Sequence, residues 1–177
     1  MKRVLVISSS PNKNGNSALL CQQFIEGAKK NNEIEYISLS NKKIGYCVAC
    51  QYCKMHDGKC VIEDDMTEIF ESMKKSDVIV LASPVYFYSI TAQMKTLLDR
   101  TYCDWMKLKN KELYFLMTSA DDTDTVMDTA LACFRGWEKC LDHPVEKGVI
   151  YGKGAGMPGD IKTKDAYKEA YEMGKGV

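Results

Sequence analysis

Histidine is nearly missing from this 177-residue chain, which has only His56 and His143. Neither has a partner at helical or motif spacing, so no histidine metal site and no Ser-His-Asp arrangement is legible. No G-x-G-x-x-G follows a strand signal, and no Gly-Lys-Ser/Thr closes a glycine loop. The dinucleotide fingerprint and the P-loop are therefore both excluded. Net charge is missing too: 24 basic residues balance 24 acidic ones. No basic field is available to attract nucleic acid or an anionic membrane. Apolar runs fall well short of the roughly 20 residues of a membrane span. The opening Met1-Lys2-Arg3-Val4-Leu5-Val6-Ile7 has too short an apolar run for a signal peptide, and no small-residue cleavage site follows it. A soluble cytoplasmic protein is expected, with neither nucleic acid nor membrane as partner.

What is present is an ordinary globular balance, 45% hydrophobic and 27% charged, in a length that suits one domain over 1–177. Strand and helix signals alternate. Arg3–Ile7 is an apolar β-branched run, and Ala18, Cys21, Ile25 and Ala28 then recur at helical steps, with Asn16 or Ser17 placed to cap. Glu33–Tyr36 alternates as an edge strand does. Met66, Ile69, Phe70 and Met73 make a helical stripe behind Asp64 and Asp65, which serve as cap and dipole partners. Asp77–Ala82 is nearly continuous apolar sequence, as in a central parallel strand buried on both faces. Helix signals follow at Met94, Leu97 and Leu98, a strand at Leu113–Met117, and a helix at Met127, Ala130, Leu131 and Phe134. Val149–Tyr151 reads as a last short strand, and Tyr167, Ala170 and Tyr171 as one face of a final helix. Five β-α units predict an α/β fold with a doubly wound parallel sheet and helices on both faces.

Three places carry chemistry. Ser8-Ser9-Ser10-Pro11-Asn12-Lys13-Asn14-Gly15-Asn16-Ser17 turns a strand into a helix through hydroxyls, amides and a glycine. A helix N-terminus with such donors suits a phosphate monoester, although an ordinary capped turn reads the same way. Ser83-Pro84-Val85-Tyr86-Phe87-Tyr88 follows the most buried strand, where aromatics and a stiffening proline suit a flat ring or pack on a neighbouring surface. The stretch at about 41–64 is long for a βα connection and holds Cys47, Cys50, Cys53 and Cys60, half of the eight cysteines. Without a secretory signal, a metal or redox role is the better reading than a disulfide framework. Four thiolates in a compact loop suit a 4Fe-4S cluster or tetrahedral zinc, and the loop also reads as metal-free thiols. Cys21, Cys103, Cys133 and Cys140 lie scattered in helical segments or their ends. His56 reads as a solvated loop residue, Trp105 and Trp137 as core or interface residues, and Lys107 to Lys111 as a solvated face.

The phosphate loop, the Ser-Pro-Val-Tyr-Phe loop running into Gln93-Met94-Lys95 and Asp99-Arg100, and Gly58-Lys59-Cys60 with Asp64-Asp65-Met66 resemble the NADPH-dependent FMN reductase family. More narrowly they resemble its iron-sulfur flavoprotein branch. Gly152, Gly159-Asp160 and Tyr171-Glu172-Met173-Gly174 extend the likeness to nearly the whole chain. The resemblance implies a flavodoxin-like three-layer α/β/α sandwich with five parallel strands in the order 2-1-3-4-5, and FMN at the strand C-termini. It implies that Ser8, Ser10, Asn12, Asn16, Ser17 and Ala18 hold the phosphate. Pro84, Val85, Tyr86 and Phe87 would line the isoalloxazine, with Thr118, Ser119 and Ala120 on its other side. Relatives often carry glycines where this chain has Ser119-Ala120-Asp121-Asp122. Cys47-x2-Cys50-x2-Cys53-x6-Cys60 resembles the compact motif that holds a 4Fe-4S cluster. The implied activity is FMN-dependent oxidoreduction with NAD(P)H as donor and a quinone-type or other small-molecule acceptor. The alternative is a non-enzymatic carrier exchanging electrons with a ferredoxin-type redox protein. No protein catalytic residue is called for, since the flavin carries the chemistry, and a homodimer or homotetramer is implied.

Overall fold

The computed structural model describes residues 1–177. Five parallel strands form the sheet: β1 (Arg3–Ser8), β2 (Glu33–Ser38), β3 (Val78–Tyr86), β5 (Glu112–Thr118) and β6 (Val145–Gly152). The two-residue β4 (Ser89–Ile90) pairs antiparallel with the end of β3. The order is β2-β1-β3-β5-β6, which is the expected 2-1-3-4-5 once only parallel strands are counted. Five α-helices cover the sheet: α1 (Asn16–Ala28), α2 (Met66–Lys75), α3 (Ala92–Arg100), α4 (Asp124–Glu138) and α5 (Asp165–Lys175).

The period-2 pleat explains the two cores. In β1, Val4 and Val6 face one side and Leu5 and Ile7 the other. Val78, Val80 and Ala82 join the first side, under Phe24 of α1 and Ala170 of α5. Ile79 and Leu81 join the second, under Phe70 of α2, Leu97 of α3 and Phe134 of α4. All four residues of the Met66, Ile69, Phe70, Met73 stripe are buried, as are Met127, Ala130, Leu131 and Phe134. β2 is an edge strand paired only with β1; Ile34 is half-buried between exposed Glu33 and Glu35, but Tyr36 is exposed, so the expected alternation does not extend to it.

Four further details differ from expectation. β3 does not end at Ala82 but continues through Ser83-Pro84-Val85-Tyr86, because Val85 and Tyr86 find new partners in Ile90 and Ser89. Pro84 is tolerated because it stands at the end of the ladder with β5, where its missing N–H costs little. The final helix turns Ala166, Ala170 and Gly174 inward and leaves Tyr171 exposed, because α1 approaches too closely for a ring. A Cβ on Gly174 would lie 2.1 Å from the Phe24 carbonyl oxygen, and one on Gly27 would lie 2.1 Å from that of Tyr171. Lys111 is not part of a solvated face. It is buried, and its ammonium donates to the Lys74 and Ser76 carbonyls at the end of α2. Burial pushes its pKa down. The helix cap of α1 is Gly15, with no side-chain bond, rather than Asn16 or Ser17.

Candidate functional site

At the carboxyl ends of the strands, four connections converge on one cleft of about 260 Å³. The first connection runs from β1 to α1. Ser9 Oγ donates to the Ala82 carbonyl at 3.2 Å and accepts from Thr91 Oγ1 at 2.8 Å, tying the loop to β3 and α3. Ser8 is buried beneath the loop and its Oγ accepts from the Ser10 N–H. Ser10 Oγ donates to the Asn12 carbonyl at 2.8 Å. The loop closes tightly enough that a Cβ on Gly15 would meet Ser10 Oγ at 2.5 Å.

α1 then opens into the cleft. The N–H groups of Asn16, Ser17 and Ala18 have no acceptor in the protein. Ser17 Oγ is buried and also has no partner. The Asn16 side chain is fully engaged elsewhere. Its Nδ2 donates to the Ala155 and Met157 carbonyls at 2.8 and 3.0 Å, while Oδ1 accepts from the Gly159 and Ile161 N–H groups at 3.0 and 3.3 Å. It therefore fastens the loop after β6 against α1, and only its backbone N–H is left without a partner at the cleft.

Pro84, Val85 and Tyr86 form one wall, and Thr118, Ser119 and Ala120 another. Ser119 is held through its N–H to the Gly152 carbonyl and its own carbonyl to the Ala155 N–H. Beyond Tyr86, Phe87 and Tyr88 make the two-residue turn to β4, with φ of 48° and 63°. That turn normally takes Asn-Gly, and each left-handed aromatic costs roughly 1–2 kcal/mol. Phe87 is fully exposed at its tip.

The cysteine loop makes a second, smaller pocket. Cys47, Cys50, Cys53 and Cys60 all line it, together with Arg100 and Cys103. Ala49, Gln51 and Asp57 adopt positive φ there, three of the seven non-glycine residues that do so in the chain. Cys53 is buried, while Cys47 and Cys50 are exposed. As they stand, no three ligand side chains converge as a metal ion requires. The donor set nevertheless suits an anionic, thiolate-bound group: four thiols on one small pocket beside a buried cation. Burial, and then Cys60 and Cys53, push the Cys103 thiol up to about 11. Asp64 is partly buried, which alone would raise its pKa. The bonds from Arg100 and from the Gly45 and Met66 N–H groups outweigh that and hold it below the usual carboxylate range. Of the two residues expected to cap α2, Asp64 accepts from the Met66 N–H at its start, whereas Asp65 makes no cap bond and accepts from the Lys43 N–H instead.

Of the expected residues, Ser10, Asn12, Asn16, Ser17, Pro84, Val85, Tyr86, Thr118, Ser119 and Ala120 meet on the cleft. Ser8 and Ala18 are buried and do not line it, and Phe87 points into solvent. The fourth wall, Ala155, Gly156 and Pro158, was not singled out in the sequence, where the likeness named only the flanking Gly152 and Gly159-Asp160. His56 stacks on Tyr52, and its Nδ1 lies 2.8 Å from the Tyr52 carbonyl.

The family model described as NADPH-dependent FMN reductase matches residues 2–131. An iron-sulfur flavoprotein of Methanocaldococcus jannaschii is 44% identical over 100 residues, covering 56% of this chain and 51% of its own. An iron-sulfur flavoprotein of Methanosarcina thermophila is 39% identical over 113 residues, covering 62% and 59%. The chain spans about half the length of the curated relatives it matches. Among solved structures, an FMN-dependent NADH-azoreductase of Bacillus anthracis in complex with FMN superposes with a TM-score of 0.75 at 18% identity, covering 98% of each chain. An NAD(P)H:quinone oxidoreductase of Methanothermobacter marburgensis gives 0.74 at 14%, covering 98% of this chain and 94% of its own. At such identities these likenesses show the flavodoxin-like fold alone. No helix is long and apolar enough to cross a membrane.

Proposed function

Because the chain belongs to the NADPH-dependent FMN reductase family, we propose that it binds FMN in the cleft at the strand C-termini and works as an FMN-dependent oxidoreductase. The observation that carries this is the mouth of α1. Three N–H groups without acceptors and the buried, unpartnered Ser17 Oγ stand together, and a buried hydroxyl without a partner calls for one. A phosphate monoester supplies acceptors for all four, favoured by the helix dipole. Pro84, Val85 and Tyr86 on one side and Thr118 to Ala120 on the other leave a slot for a flat ring. FMN, when bound, supplies the redox chemistry, taking electrons from a donor and passing them to an acceptor. The protein's part is to bind, orient and limit water. Tyr86 is the single titratable side chain on the cleft wall, so no acid or base stands ready there beyond it.

The donor in this reading is NAD(P)H and the acceptor a quinone-type or similar small molecule. The chain acts as a homodimer or homotetramer, which gives the strained, fully exposed Phe87 turn a surface to meet. The four loop thiols hold a 4Fe-4S cluster, which supplies single-electron storage when bound. That cluster favours a second reading, a carrier that exchanges electrons with a ferredoxin-type protein. Anaerobic steady-state oxidation of NADPH and NADH by the FMN-loaded protein separates the two. Turnover with a quinone or other small acceptor is expected. Absence of turnover, with fast exchange to a ferredoxin, gives the carrier instead. Size-exclusion chromatography with light scattering checks the assembly.

A further inference from the structure

Arg100 is the most deeply buried cation in the molecule, 2% exposed at the end of α3. A guanidinium has five N–H donors. Four are engaged: Nη1 donates to the Gly45 carbonyl and to Asp64 Oδ2, both at 2.6 Å. Nη2 donates to Asp64 Oδ1 at 3.0 Å and to the Ile62 carbonyl at 3.3 Å. Gly45 precedes the first loop cysteine, and Ile62 and Asp64 follow the last. One side chain thus fastens both ends of the cysteine loop to α3. The fifth donor, Nε–H, is buried and has no acceptor. The guanidinium lines the pocket that the loop thiols line, and Cys60 is the thiol beside it. A buried donor left over in this way points to a group that arrives later.

Taking the cluster reading above as its premise, we propose that Arg100 is a positioning residue whose Nε–H hydrogen-bonds the Cys60 sulfur of a thiolate-bound 4Fe-4S cluster and raises the cluster's reduction potential. The physical reason has two parts. A hydrogen bond to a ligating sulfur stabilises the more negative, reduced state, and potentials of such clusters follow bonds to the sulfurs and local charge. Reduction by one electron adds one negative charge with no proton, and a fixed cation in a water-poor pocket favours that addition. Asp64 offsets much of the cation's charge but binds only Nη1 and Nη2, leaving Nε–H without a partner on a guanidinium that has Cys60 beside it. The guanidinium therefore serves as both clasp and donor, and lysine, with a point charge and no planar fork, does not replace it.

The experiment is an EPR-monitored potentiometric titration of anaerobically reconstituted full-length protein, with iron and sulfide counted in each preparation. Arg100→Lys keeps the charge and removes the Nε–H. Should it fail to fold, the double variant Asp64→Asn/Arg100→Gln replaces the buried ion pair by a neutral one and also lacks the donor. In either variant the midpoint potential of the cluster that assembles is expected to fall, compared at equal iron per chain, while the FMN couple stays as in the wild type. An unchanged cluster potential at equal iron content overturns the proposal and leaves Arg100 a structural pin. Wild-type protein that takes up no iron and sulfide overturns the cluster reading itself, and this proposal with it.

Discussion

At the residue scale, the site is a matter of which polar atoms already have partners. Sequence reading assigned six residues of the first loop to phosphate on one footing. The structure divides them by occupation: Ser8, Ser10 and the Asn16 amide are hydrogen-bonded within the protein, whereas Ser17 Oγ and three N–H groups are not. Ser8 and Ser10 pair within the loop itself, but the Asn16 amide is occupied by partners more than a hundred residues away, Ala155 and Gly159 among them, and nothing local announces that. Cys103 is the same kind of case. It reads as a scattered helix-end cysteine, yet tertiary folding brings it to the thiol pocket. Ser17→Ala gives the clearest residue-level test. It removes one hydrogen bond to a charged group, worth about 1.5–3 kcal/mol, so the FMN dissociation constant should rise about 10- to 100-fold. The apoprotein's melting temperature should not fall, since the hydroxyl has no partner to lose. A loss of apoprotein stability with unchanged FMN affinity would reverse the roles.

At the element scale, periodicity carried most of the fold. Alternating burial in β1 and the stripes of α2 and α4 follow directly from their sequences, because each packs an ordinary side-chain layer against the sheet. α5 was misjudged because it packs on the backbone of another helix, where small residues matter more than apolar ones. The Gly27–Gly174 approach makes this testable. Gly174→Ala forces its Cβ against a carbonyl oxygen and should cost about 1–3 kcal/mol or more. For a chain of this size that lowers the melting temperature by roughly 2–4 °C per kcal/mol. Gly136→Ala in α4, where a Cβ meets nothing within 4 Å, should instead gain about 1 kcal/mol from helix propensity. Thermal denaturation followed by circular dichroism compares the two, and equal shifts would contradict the packing account. The β3–β4 turn was read as a loop because Phe-Tyr is not turn sequence. Its left-handed aromatics are strain held at the edge of the cleft, as functional sites often show.

At the scale of the whole molecule, the sheet order and the convergence of four βα connections put every polar feature of interest at one end of the strands. The order was legible through resemblance and the alternation of elements. The walls of the cleft were legible in three of four loops; in the loop after β6 the likeness rests on the flanking Gly152 and Gly159-Asp160, and the lining residues Ala155, Gly156 and Pro158 between them were not singled out. The central claim is that the opening of α1 recognises a phosphate monoester carrying a flat ring. Titration of flavin-free protein with FMN and, in parallel, with riboflavin tests it most directly through quenching of flavin fluorescence. One FMN should bind per chain, with riboflavin, which lacks the phosphate, at least about 100-fold weaker, given several charge-assisted bonds of about 1.5–3 kcal/mol each. Equal affinity for the two, or no binding of FMN, would contradict the account.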